Sequence, residues 1–138
     1  LKGIDSMSYE RITTIFDGIA IPEEIILSNV LDDFINKTKT KVEIFDRCIA
    51  YHSIYPHELN GDWLEEYLRD MGYIVFDEYM SYLYLGRSIM SVGDDTGTCS
   101  LIMDNLPNFP DYTSEIDELI KLVFPDYEPH RYLINWYL

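Results

Sequence analysis

Histidine and cysteine are scarce in this sequence, with three and two among 138 residues. Cys48 and Cys99 stand alone in apolar runs, which excludes a disulfide framework or a cysteine-built zinc cluster and predicts two buried thiols. His52 and His57 lie five apart, not the four of a helical zinc pair. Apolar runs of about 18 residues are missing, so no membrane-spanning helix is expected. No charged-then-apolar leader is present, which predicts a cytoplasmic protein. Met7 is the first methionine. Residues 1–6 are set aside as an added leader, and 7–138 are read as one acidic α+β domain.

Basic residues are also few, 10 Lys+Arg against 25 Asp+Glu, for a net charge of −15. The imbalance is uneven. Residues 1–57 hold nine acids and six bases, a net of −3; residues 58–138 hold sixteen acids and four bases, a net of −12. Such a field repels nucleic acid and anionic lipid and steers basic proteins inward. The acids are interleaved with aromatic and aliphatic residues, unlike those of a disordered acidic tail, so the charge is displayed on a folded surface.

The hydrophobic periodicity predicts helices first, then strands. SYERITTIFD, 8–17, places Tyr9, Ile12 and Phe16 at helical spacing before Gly18. IPEEIILSNVLDDFINK, 21–37, reads as a helix with Pro22 in its first turn, acids at its positive end and an apolar stripe of Ile26, Leu27, Val30, Leu31, Phe34 and Ile35. KVEIFDRCIAYH, 41–52, fits a helix, with a strand left open. DWLEEYLRDMG, 62–72, is a compact helix that Asp62 and Glu65 would cap and Gly72 would end, with Trp63, Leu64, Tyr67, Leu68 and Met71 facing inward. After Gly72 the period falls to two. YIVF, SYLYLG, RSIMSV and TCSLIM predict an antiparallel meander with a bend or bulge at Gly86. TSEIDELIKLVF, 113–124, is a late amphipathic helix capped by Thr113 or Ser114, and HRYLINWYL docks as a final strand or short helix. The class is α+β: N-terminal helices, an antiparallel β-meander, a late helix and a docked C-terminal tail.

GDDTGT, starting at Gly93, raises the question of a metal or phosphate site. A calcium loop needs about six oxygen ligands, and Asp94 and Asp95 are followed by no acid until Asp104. A phosphate loop needs the lysine that this stretch lacks. Gly and Asp are what a tight hairpin turn requires, so the stretch reads as a hairpin tip that presents two carboxylates. No metal and no cofactor are expected. His57 beside Glu58 in YPHEL is the nearest thing to a general base, and no GxSxG elbow occurs. The chain is therefore read as a non-enzyme, with no catalytic residues.

Taken in order, "IPEEIILSNVLDDFIN", "YPHEL", "YLGRSIMSVGDDTGTCSLIMD" and "SEIDELIKLVF" resemble the SUKH superfamily over residues 19–124. Its members run from a proline-led helix to a "G…GDD.G…D" hairpin and a late helix. The resemblance implies an α+β fold that works by binding protein, commonly as an immunity protein against a nuclease toxin. It also implies a structural role for Gly93, Asp94, Asp95 and Gly97.

The function expected is a stoichiometric acidic inhibitor of the immunity type, binding a basic, nucleic-acid-acting enzyme or toxin. The runner-up is a phage or mobile-element DNA mimic directed at a restriction or CRISPR effector. A small metal-dependent enzyme ranks lower. The partner-binding residues expected are Asp62, Glu65, Glu66, Asp70, Asp77, Glu78, Asp94 and Asp95. Tyr79, Tyr82 and Tyr84 are candidate aromatic anchors. No direct nucleic-acid or membrane binding is expected.

Overall fold

The computed structural model describes residues 11–40, 42–77, 79, 81–93, 108 and 114–137. Their order is β1 (Arg11–Pro22), α1 (Leu27–Lys37), α2 (Glu43–His52), a 3₁₀ turn (Pro56–Glu58), α3 (Gly61–Asp70), β2 (Ile74–Phe76), β3 (Tyr82–Gly93), α4 (Glu115–Val123) and β4 (His130–Tyr137). The four strands form one antiparallel sheet in the order β2-β3-β1-β4, and the fold is α+β.

The first described element is a strand, not the helix expected over 8–17. Thr14 through Ile19 are all buried, so both faces of β1 are covered and the usual in–out alternation vanishes. Tyr9, Ile12 and Phe16 matched a helical period by coincidence, whereas the β-branched run Ile12-Thr13-Thr14-Ile15 favours a strand. β1 is one of the two inner strands, paired with both β3 and β4. The meander is corrected with it: β3 runs unbroken through Gly86 and pairs with β1 over Ile12–Pro22. Gly86 faces Gly18, and a Cβ on either would collide with the neighbouring backbone, at Asp17 O or Leu85 O. The bulge lies further on, where Ile15 pairs with Met90 but Phe16 with Ser88, leaving Ile89 extra. TCSLIM and the GDDTGT residues after Gly93 lie outside the described residues.

α1 begins later than expected. Pro22 ends β1, and Glu23 N–H donates to Ser81 O at 3.2 Å, so Glu23 and Glu24 sit in a turn. No acid stands in the helix's first turn, and Ile26 is exposed while Leu27 and Leu31 are buried. The segment left between helix and strand is the helix α2, and the C-terminal tail is the strand β4. α4 follows expectation: the Asp117 carboxylate accepts from Ser114 N and Oγ at 3.0 and 3.1 Å, closing its first turn.

One sheet face carries Ile19, Ile21, Leu85 and Ile74, and on it pack Leu27 and Leu31 of α1, Ile44 and Cys48 of α2, Leu64 and Leu68 of α3, and Ile116, Leu119 and Ile120 of α4. Burying a side chain of this kind contributes about 1.5–3 kcal/mol. Further along the same face, Asp17 is buried and accepts two hydrogen bonds from Arg131, from Nε at 2.7 Å and from an Nη at 2.8 Å. The opposite face carries Phe16, Tyr84 and Tyr132, with the Tyr84 ring meeting both of the others, and the Trp136 indole N–H donating to Thr14 Oγ1 at 2.7 Å.

Candidate functional site

α3 is held at its start by groups outside it. Asn60, not Asp62, is the cap: its Oδ1 accepts from Trp63 N–H at 2.9 Å. Asp62 already lies inside the helix, so the expected Asp62–Glu65 box does not form. Asp32 of α1 accepts from Gly61 N–H at 3.1 Å, and a Cβ at Gly61 would run into Ser28 O and Asp32. The glycine therefore sets how closely α3 approaches α1. At the far end Gly72 takes φ +80, a conformation that suits glycine after a helix. Leu64, Tyr67 and Leu68 turn inward as expected, but Met71 is 41% exposed.

With the helix fixed this way, Asp62, Glu66 and Asp70 fall on one exposed stripe. Four residues of helix advance about 6 Å, so the three carboxylates form a row along the axis. No cation pairs with them among the described residues. Glu65 differs: it is partly buried, and Arg69 lies 3.7 Å from its carboxylate. The Arg69 guanidinium also sits 5.9 Å from the centre of the Phe76 ring.

α2 lies beside this stripe and lends it an aromatic flank. Tyr51 is half exposed, and its hydroxyl donates to Asp70 Oδ2 at 2.9 Å. That bond, followed by desolvation and by the charges of Asp70 and Glu66, holds the Tyr51 phenol above its usual pKa. The Tyr51 ring meets the edges of Tyr67 at 5.5 Å and His52 at 4.9 Å. His52 in turn bonds Trp63 O through Nε2 at 3.0 Å, tying the end of α2 to the start of α3. Cys48 is fully buried against the same helix, and burial, with a smaller push from Glu66, raises its thiol to about 11. It remains a thiol at neutral pH.

The other expected site residues separate. The Asp77 carboxylate accepts from Ser81 N–H at 2.8 Å and so closes the turn between β2 and β3. Glu78, Asp94 and Asp95 lie outside the described residues. Of the expected anchors, Tyr79 and Tyr82 are exposed, at 79% and 43%, while Tyr84 is half-buried against Phe16 and Tyr132. Tyr51 and Tyr55, 49% and 68% exposed, were not anticipated; KVEIFDRCIAYH hid Tyr51 because its partner Asp70 is 19 residues away. His57 is exposed and stacks on Tyr55, and Glu58 bonds Tyr55 N–H rather than the imidazole.

A contrasting acidic site lies at the start of α4. Glu115 is almost fully buried; its Oε1 accepts from Tyr73 O–H at 3.0 Å and its Oε2 lies 3.0 Å from Arg47. No N–H is aligned on Oε2, so that contact is ionic rather than a formed hydrogen bond. Arg47 also bonds Glu43 at 2.8 Å. Burial first, then the bond to Glu115, lifts the Tyr73 phenol to about 12. A cleft of about 400 Å³ opens here between Glu43, Ser114, Glu115, Glu118 and Lys121, and His57 does not line it. Among the described residues no group of three or more His, Cys, Asp or Glu could hold a metal ion, and no helix is long and apolar enough to cross a membrane.

Comparison of the chain with protein families, curated proteins and solved structures returns no match.

Proposed function

We propose that the protein is a stoichiometric inhibitor of the immunity type, which docks the α3 face on a basic, nucleic-acid-acting protein such as a nuclease toxin. The observation that carries this is the row Asp62, Glu66, Asp70, exposed and unmatched by any cation among the described residues. Like charges four apart on a helix oppose folding by about 0.2–0.5 kcal/mol per pair. The row contains two such pairs, offset among the described residues by the Tyr51 bond and by the place of Asp62 in the first turn of α3. A basic partner would relieve that repulsion. Nuclease clefts are basic because they hold phosphate. The −15 charge would speed encounter, and the half-exposed Tyr51 and exposed Tyr55 are suited to anchor the contact. The SUKH resemblance belongs to the same reading.

The spacing of the row also favours a second reading, a DNA mimic, because its three carboxylates recur at even intervals. Against it, a mimic needs a second row, and on α3 the neighbouring Glu65 is matched by Arg69. Capture of partners on the immobilised protein at low and moderate salt, followed by titration of the captured enzyme's activity, tests the choice. One basic partner, silenced at a one-to-one ratio and released as salt rises, is the inhibitor result. Several unrelated DNA-binding proteins would select the mimic. No salt-sensitive partner, or one whose activity is untouched, would overturn both.

A further inference from the structure

Asn60–Gly61 is the only Asn-Gly step in the chain. Such a step is open to spontaneous deamidation, because glycine puts no side chain in the way when its nitrogen approaches the asparagine carboxamide. In that reaction the Gly61 nitrogen attacks Asn60 Cγ. The N–Cγ bond forms, the Cγ–Nδ2 bond breaks, and Nδ2 leaves as ammonia with the proton that the Gly61 nitrogen gives up. Water then opens the cyclic imide. Opening at the N–Cγ bond leaves aspartate at position 60. Opening at the bond from that nitrogen to the main-chain carbonyl carbon leaves isoaspartate, with one extra carbon in the main chain.

The fold holds the reacting atoms apart. Asn60 Oδ1 accepts from Trp63 N–H at 2.9 Å, and the Asn60 main-chain carbonyl accepts from Leu64 N–H at 3.1 Å. Asn60 is extended, with ψ 179, whereas ring closure needs Cγ, Cβ, Cα, C and the Gly61 nitrogen nearly coplanar. Turning ψ would swing Gly61, which is buried and has no room even for a Cβ before Ser28 O and Asp32 of α1. Gly61 N–H is itself bonded to Asp32 Oδ1 at 3.1 Å, and a carboxylate there opposes loss of the proton that the attack must remove. We propose that Asn60 is a deamidation site kept closed by the packing of α3 on α1, with Asp32 as its guard, and that it opens when the start of α3 comes away. Either product hinders reclosure. Aspartate brings a second carboxylate beside Asp32, and isoaspartate displaces the cap from the glycine by one carbon. The proposal does not depend on the inhibitor reading.

Peptide mapping by mass spectrometry tests it, on protein held in warm, mildly alkaline buffer with and without urea, the aspartate and isoaspartate peptides being separated by chromatography. Native wild type should convert at least about tenfold more slowly than the same chain unfolded in urea. Asp32→Ala, checked for folding by circular dichroism, should convert about tenfold faster than native wild type. Asp32→Asn keeps an acceptor for Gly61 N–H and should lie between the two; it carries the test where Asp32→Ala fails to fold. In urea all three should convert alike. Native wild type converting as fast as the unfolded chain would overturn the proposal. So would folded Asp32 variants that convert no faster than wild type, and slower conversion would make Asp32 the base that promotes the attack.

Discussion

The carboxylates buried at Asp17 and Glu115 and those exposed at Asp62, Glu66 and Asp70 are governed by opposite rules. Each buried one has its own cation or hydroxyl: Arg131 holds Asp17 in a two-bond grip, and Tyr73 with Arg47 holds Glu115. The exposed three stand in a row with one tyrosine hydroxyl among them. A buried carboxylate must be matched, because an unpaired charge out of water costs several kcal/mol. An exposed row needs no match to persist, since water screens it, and it gives the fold little beyond the Tyr51–Asp70 bond. The buried set therefore belongs to stability, and the proposed docking face draws on the exposed set.

Substitutions should sharpen that division. Asp17→Ala leaves Arg131 without its carboxylate and should destabilise by about 3–5 kcal/mol. Urea unfolding of the variant against wild type measures it, and a loss under 1 kcal/mol, on the order of an exposed ion pair, would put Asp17 in the wrong class. Tyr73→Phe takes one hydrogen bond from the buried Glu115 and should cost about 1–3 kcal/mol in the same assay. Asn60→Ala removes the α3 cap and should cost about 1 kcal/mol. Replacing Asp62, Glu66 and Asp70 together by lysine should change stability by no more than about 0.5 kcal/mol per site, since three lysines repel one another as three carboxylates do and only the exposed Tyr51 bond is lost.

Alkaline titration offers a view of the same interior. The folded-state values of Cys48 and Tyr73, about 11 and about 12, lie above the ordinary 9.0 and 10.0. Both groups bind their protons more tightly when folded. Their contribution is complete below about pH 9 and is lost as pH rises toward 12. Urea midpoints should thus fall through that window. A midpoint that holds level from pH 9 to 11 would contradict the burial of Cys48.

How far these features were legible in the sequence follows from how local their causes are. α3 and α4 rest on periodicity within a dozen residues, and both were readable as helices; the tail was read as a strand or a short helix and is the strand β4. The acids of α3 were readable as a group but not as a row: Glu65, expected beside Glu66 and Asp70, is partly buried against Arg69, and Asp62, expected as the cap, completes the exposed stripe. β1 was not, since burial of both its faces erased the alternation that marks a strand. The Asp17–Arg131 pair spans 114 positions, and Tyr51 reaches Asp70 from another helix. Asp62 was mistaken for the cap because Asn60 stands two residues earlier, next to the glycine that α1 requires at that spot.

The proposed docking of the α3 row on a basic protein is decided by parallel capture with wild type and with the Asp62→Lys, Glu66→Lys, Asp70→Lys variant, at low and moderate salt. Wild type should hold a dominant basic, nucleic-acid-acting partner at low salt and release it as salt rises, and the variant should bind that partner at least about tenfold more weakly. The same partner held equally by both proteins would rule the docking face out.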